Sequence, residues 1–351
     1  MAYQGVLDDI RACVELGIPG RVPVFAVSEP FDVRMSGLTH EEYTRNADTM
    51  AGCRIEAVRR FDYDWSIGWP DDYVEMETLG IKLRGGENVP LAPYEYPAAS
   101  WDTLKNLRMP DFHHDGRMPA FLETLGRIKN ALGDTVCLTG RVAAPFTAVA
   151  LLYGVERSMS LIVEEQDLFQ KTAEFLTGLM IAWGKAQIQA GADAVWLGDC
   201  VAGSGFISSG HYLEFAAEGA ARVCEAIKKE GAFVFYHAGE SSPGRLELMA
   251  GVRPSALSVG GKIDIRQAKE TVGKRVCLLG NIRGIETLRA GTPEAVEQET
   301  ARIVEEGKKG GGYIFNSEEG IPRETPEENM RAMMHTARLC GSYDRHSHIT
   351  P

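Results

Sequence analysis

No apolar run in the 351-residue chain approaches ~18 residues, so the sequence offers no transmembrane helix. There is no CxxC pair. The seven cysteines (Cys13, Cys53, Cys137, Cys200, Cys224, Cys277 and Cys340) are odd in number and scattered, as reduced thiols are. Positive charge is also in deficit. The formal net charge of −12 argues against a broad nucleic-acid surface. No HExxH metal motif occurs, and no GxGxxG follows the first apolar run, which speaks against a doubly wound nucleotide-binding sheet. The amino-terminal segment carries acids early and has no unbroken apolar core. It reads as an amphipathic helix rather than a signal peptide, and a cytoplasmic location is expected.

What is present is an alternation. Eight short, mostly continuous apolar runs read as strands buried on both faces: 22–27, 63–69, 135–140, 194–199, 233–239, 256–261, 275–281 and 312–317. Long helical patterns lie between them. Thr292–Pro293–Glu294 and Thr325–Pro326–Glu327 repeat one start signal: an N-cap, a proline at the first helical position, then an acid on the dipole. Eight strands alternating with helices predict an α/β fold, a (β/α)8 TIM barrel with an N-terminal helix. Segment 70–115 interrupts the alternation and is expected to form a small hairpin or lid inserted after strand two. Residues 1–345 are read as one domain and 346–351 as a tail, whose His346 and His348 are not assigned a function.

Functional groups of such barrels gather at the carboxyl ends of the strands. Cys200, His237 and Glu319 occupy three of these ends. A thiol, an imidazole and a carboxylate converging there can hold Zn2+ with one position open. Asp199, Glu240 and Glu318 are alternative ligands. The competing reading makes Cys200 a small core residue and the glutamates solvated loop groups. Arg141 follows the third strand, either to bind an anionic group or to pair with Asp199 or a neighbouring acid. Asp199, Arg141 and Asn316 are the candidates for catalytic groups. Asp71 and the aromatics Trp65, Trp69, Phe146 and Tyr153 are candidates for substrate contact, with a core role as the alternative for the aromatics.

Five stretches carry a family resemblance: GRVAAPFTAVALLYG (140–154), GADAVWLGDCVAGSGFIS (191–208), FVFYHAG (233–239), KRVCLLGNI (274–282) and GGYIFNSEEGIPRETPEENMRAM (311–333). From about Gly20 to Gly341 the chain resembles the uroporphyrinogen decarboxylase superfamily, including its cobalamin-dependent methyltransferase branch. The resemblance implies a (β/α)8 barrel. Decarboxylases of this kind carry an arginine-rich RQAGRY-like segment after strand one, where this chain reads VSEPFDVR, and a histidine where it has Glu319. The coenzyme M-methylating members hold zinc with an HxC motif and a further cysteine. Here His237 is kept, while Gly239 and Glu319 stand at the two cysteine positions.

A site with fewer thiolates is harder and favours an oxygen ligand. The expected activity is therefore zinc-dependent transfer of a methyl group from a small methoxylated, aromatic donor to the Co(I) corrinoid of a partner protein. Transfer from a methylcorrinoid to a thiol and a metal-free lyase reaction are the alternatives. The implied partners are a corrinoid protein and a small-molecule donor, with no nucleic acid and no membrane. A homodimer is compatible with the reading.

Overall fold

Along each apolar run, residues alternate between two environments. In the computed structural model, which describes residues 3–68 and 70–343, one set points to the concave side of a curled sheet and the other packs against helices. The strands are β1 (Trp65–Ile67), β2 (Lys82–Gly86), β3 (Val89–Glu95), β4 (Cys137–Ala143), β5 (Ala194–Gly198), β6 (Phe233–His237), β7 (Ala256–Ser258), β8 (Cys277–Leu279) and β9 (Tyr313–Ile314). Seven of them form one curled parallel sheet in the order β1-β4-β5-β6-β7-β8-β9. Phe25, Trp65, Cys137, Trp196, Phe235, Cys277 and Ile314 belong to the inner cluster. Within it, Phe25 stacks on Trp65 with ring centroids 5.2 Å apart.

The expected eighth strand does not form. Residues 22–27 run between the sheet edges and bond to both, but side chains take the place of the ladder. Phe25 N–H donates to Phe315 O (2.8 Å) and Phe315 N–H to Pro23 O (3.0 Å). On the other side Asp64 N–H donates to Val24 O (3.0 Å), while Val24 N–H turns to the Asp64 carboxylate (2.8 Å). Val27 N–H is taken by Ser317 Oγ (3.2 Å). Pro23 has no N–H to offer a ladder, which is the local reason the run stops short of a strand. The remaining sheet strands are also mostly shorter than the runs that announce them.

The N-terminal helix, Val6–Val14, is present. The segment after β1 contains the expected hairpin, β2 against β3, antiparallel. The two Thr-Pro-Glu signals part company. Thr292 caps Pro293–Gly307 by accepting from Ala295 N–H (3.3 Å). The helix Glu327–Cys340 instead takes Pro326 as N-cap. Thr325 is buried, and its carbonyl is held by Arg34 (2.6 Å), so tertiary contact moves the start by one residue. No single helix among the described residues is long and apolar enough to cross a membrane. The tail 346–351 lies outside the described residues.

Asp64 fastens the start of the chain to its end. Its carboxylate accepts from Val24 N–H and pairs with Arg21 (2.6 Å) and Arg338 (2.5 Å), while its own side chain is buried. Removing a buried partner leaves cations and an amide uncompensated. Asp64→Ala is expected to lower stability by about 3 kcal/mol in urea unfolding. A loss within 0.5 kcal/mol, the range of ordinary surface changes, would mean that this junction does not hold the chain ends.

Candidate metal centre

The parallel register of β5 and β6 sets Gly198 beside His237, and Asp199 N–H donates to the His237 carbonyl (2.6 Å). His237 lies two residues beyond the inward-facing Phe235, so its ring continues the inner column to the mouth and packs on Trp196, centroids 4.7 Å apart. The chain leaves β5 through a short turn, Cys200–Ala202, which brings the Cys200 side chain over the same opening. Glu319 arrives from the loop after β9. Ligand atoms of Cys200, His237 and Glu319 all lie within 4.8 Å of one another.

The ring of His237 is oriented from both sides. Nδ1 is 2.9 Å from Ser258 Oγ, and Nε2 is 3.1 Å from Glu319 Oε2. Ser258 is at the end of β7, the strand next to β6. Such a contact on the far nitrogen of a histidine holds the other nitrogen toward a ligand. Burial alone would drive the imidazole toward neutrality, but Glu319 and Cys200 outweigh it and raise its pKa from 6.5 to about 10. Burial would also raise the Glu319 carboxyl. The His237 charge prevails there too, and its pKa is lowered.

Asp199 is in a different position from the one a catalytic role requires. It is completely buried beneath the Cys200 turn, accepting hydrogen bonds from Thr147 Oγ1 (2.8 Å) and the Tyr236 hydroxyl. Tyr236 is 3.2 Å from the Tyr212 hydroxyl, and Arg245 lies over the Tyr212 ring. Arg245 also binds the carbonyls of Ala202 and Ile207 (2.7 Å to the latter). Burial pushes Asp199 up to about 6. This network holds the turn that carries Cys200.

The other candidates separate. Glu240 lies outside the cluster, because its carboxylate is occupied by Ser204 N–H (2.7 Å), Ser204 Oγ (2.9 Å), Ser241 N–H (2.8 Å) and Ser242 N–H (2.6 Å). Glu318 turns away to accept from Gly261 N–H (2.7 Å). Arg141 pairs with Asp72 (2.8 Å) and Glu75 (3.4 Å), tying the segment after β1 to the mouth. Burial raises Glu75 to about 7, against the pull of Arg141.

Asp71 is committed to Arg117 and to Tyr73 N–H (2.9 Å). Phe146 and Tyr153 belong to the core around helix Pro145–Tyr153, with Phe146 5.2 Å from Phe169, and Trp65 fills the barrel interior. Trp69 lies outside the described residues. Asn316 is completely buried two residues beyond the inward-facing Ile314, and neither amide atom has a partner among the described residues. Ser258, Thr147 and Tyr236 stand in no motif that would single them out. Only the inward alternation of ALS at β7 hinted at the first of these.

A histidine whose folded pKa lies above its unfolded value stabilises the fold fully below the unfolded value of 6.5, and loses that contribution as pH rises toward about 10. The metal-free protein is therefore expected to lose stability over this window. In Glu319→Gln the loss should be smaller and complete at lower pH. Urea midpoints against pH measure it, and an unchanged profile in Glu319→Gln would remove Glu319 as the cause.

A model of the uroporphyrinogen decarboxylase (URO-D) family matches residues 17–339. Among curated relatives, the uroporphyrinogen decarboxylase of Methylococcus capsulatus is 31% identical over 294 residues, covering 80% of each chain. That of Psychromonas ingrahamii is 28% identical over 296 residues, covering 81% of each. Among solved structures, a methyltransferase from Methanosarcina mazei superposes with a TM-score of 0.81 at 22% identity, covering 95% of this chain and 98% of that one. A B12-independent methionine synthase from Shewanella gives 0.51 at 10% identity, covering 84% and 86%. The structural likenesses speak to the fold, and the family model spans nearly every element described above: the chain belongs to the uroporphyrinogen decarboxylase family.

Proposed function

We propose that this protein is a zinc-dependent methyltransferase that moves a methyl group from a small methoxylated donor to the Co(I) corrinoid of a partner protein. The observation that carries the reading is the convergence of Cys200, His237 and Glu319 at the barrel mouth. Tetrahedral zinc with these ligand types needs donor atoms about 3.3 to 3.7 Å apart. The 3.1 Å between His237 Nε2 and Glu319 Oε2 and the 4.8 Å limit on the whole group lie within a small side-chain adjustment of that spacing. One thiol, one imidazole and one carboxylate form a harder set than a thiolate-rich one and leave a coordination position for an oxygen ligand.

Zinc held there would supply Lewis acidity to the ether oxygen of the donor. A Co(I) corrinoid brought by the partner would supply the electron pair of the new carbon–cobalt bond, and the pair of the broken methyl–oxygen bond would stay on the donor's oxygen. The protein's own residues orient the ligands. Ser258 fixes the His237 ring, and the Asp199–Tyr236–Thr147 network holds the Cys200 turn. Asn316 is completely buried, with neither amide atom bonded among the described residues, so it lies out of reach of a donor in the mouth. Arg141 is read as part of the same mouth, held by Asp72 and Glu75. The curated relatives, uroporphyrinogen decarboxylases, favour a second reading, a lyase reaction. Against a porphyrinogen substrate, the segment after residues 22–27 carries Glu29 and Asp32 rather than an arginine cluster.

Elemental analysis decides first. About one zinc per chain is expected in the wild type, lost in His237→Ala. Glu319→Ala should weaken binding more than Glu318→Ala, whose carboxylate is already engaged by Gly261. No zinc after reconstitution would sink the reading in favour of the metal-free lyase. Zinc-loaded protein would then be screened with methoxylated aromatics and a Co(I) corrinoid for methylcorrinoid formation.

The buried Asn316 amide has its own test. An unpaired buried amide costs about 1 to 3 kcal/mol. Asn316→Leu is expected to raise stability by about 1 kcal/mol in urea unfolding. A less stable variant would place the amide in the fold's own bonding.

A further inference from the structure

The Glu319 carboxylate occupies space that a side chain on Gly239 would need. A Cβ built on Gly239 would lie 2.2 Å from Glu319 Oε1 and 3.3 Å from its Cδ. The other oxygen of that carboxylate, Oε2, is the one beside His237 Nε2 at 3.1 Å. A carbon–oxygen approach of 2.2 Å is far inside van der Waals contact, so one side must yield.

Which side yields follows from what holds each. The backbone around Gly239 cannot retreat. A Cβ on Gly260 would sit only 2.3 Å from the Gly239 carbonyl oxygen, so the two backbones are already in close approach. Gly260 N–H donates to Glu240 O (2.8 Å), and the Glu240 carboxylate is pinned by three backbone N–H groups, those of Ser204, Ser241 and Ser242. The Glu319 side chain is 53% exposed, and among the described residues its hydrogen-bond partner is His237. It can swing out to water. The φ of +58° at residue 239 adds a preference for glycine that is separate from this steric exclusion.

We propose that Gly239 is the residue that selects the ligand set: its missing side chain admits Glu319 to the cluster, and a side chain at 239 expels it. The inference rests on the metal-site reading above. With alanine at 239 the site falls to two protein donors, His237 and Cys200. With cysteine at 239 the expelled carboxylate is exchanged for a second thiol, and the site becomes soft. Gly239 acts through Glu319 and is a positioning residue.

The test is Co2+ binding to the full-length protein, followed by visible absorption and chelator competition, in wild type, Gly239→Ala, Glu319→Ala and the double variant. Gly239→Ala is expected to weaken Co2+ by about tenfold or more, the range for lost ligand support. The double variant should bind no more weakly than Glu319→Ala alone, because the carboxylate through which Gly239 acts is already gone. A purely backbone effect of the φ would persist in the double variant and multiply the losses. Gly239→Cys should gain thiolate-to-Co2+ charge-transfer absorption in the near ultraviolet and shift preference from Co2+ toward Cd2+. Thermal unfolding of each metal-free variant confirms that it is folded. Wild-type-like Co2+ binding by Gly239→Ala, or multiplying losses, overturns the role of Gly239 alone. A wild type that takes up no Co2+ overturns the metal-site reading, and the selection of ligands by Gly239 with it.

Discussion

The rung between Gly198 and His237 is the contact on which the site depends. Parallel pairing of β5 and β6 puts these residues level, and the next N–H, that of Asp199, closes on the His237 carbonyl. Since the strand period is two, a slip of one residue would send His237 to the helix-packed face and carry Cys200 away from it. The aromatic layer below resists such a slip. Trp196 and Phe235 fill the barrel interior, and Trp196 also supports the His237 ring. Packing and hydrogen bonding thus fix the same register.

Above this rung, the site opposes burial with charge. An imidazole buried next to a thiol and a carboxylate is held protonated, and the carboxylate is held ionised by it. The contacts of Ser258 and of the Asp199 network add to these attractions in keeping the three groups close. Pairs of another kind order the segment after β1. Arg141 of β4 holds Asp72 and Glu75, and Arg117 holds Asp71 and Glu77 within the segment itself. Family membership and the likeness in fold fit this arrangement of elements.

Much of the architecture could be read from patterning. The apolar runs mark the positions of all seven sheet strands, the glycine-rich stretch after β1 marks the hairpin, and the early acids and apolar spacing mark Val6–Val14. The run 22–27 reads as a strand because periodicity cannot register that Pro23 lacks a donor and that the Asp64 and Ser317 side chains supply the missing bonds. The apolar helix face of Phe146 and Tyr153 reads the same whether it meets a ligand or a core. Glu240 reads as a ligand because a carboxylate at a strand end carries no sign that three backbone N–H groups already claim it.

The sequence by itself determined which chemistry is present at the strand ends: a thiol after β5, an imidazole closing β6 and a carboxylate after β9, at positions set by local alternation and by the apolar run each strand must bury. Only the tertiary structure decided which of these groups meet. Cys200, His237 and Glu319 come together, while Glu240, Glu318, Asp71 and Asp199 are drawn to other partners. The physical reason is that a side chain's residue type is a local property. Its hydrogen-bond partners and the space left to it, such as the space Gly239 leaves for Glu319, are set by segments dozens of residues away.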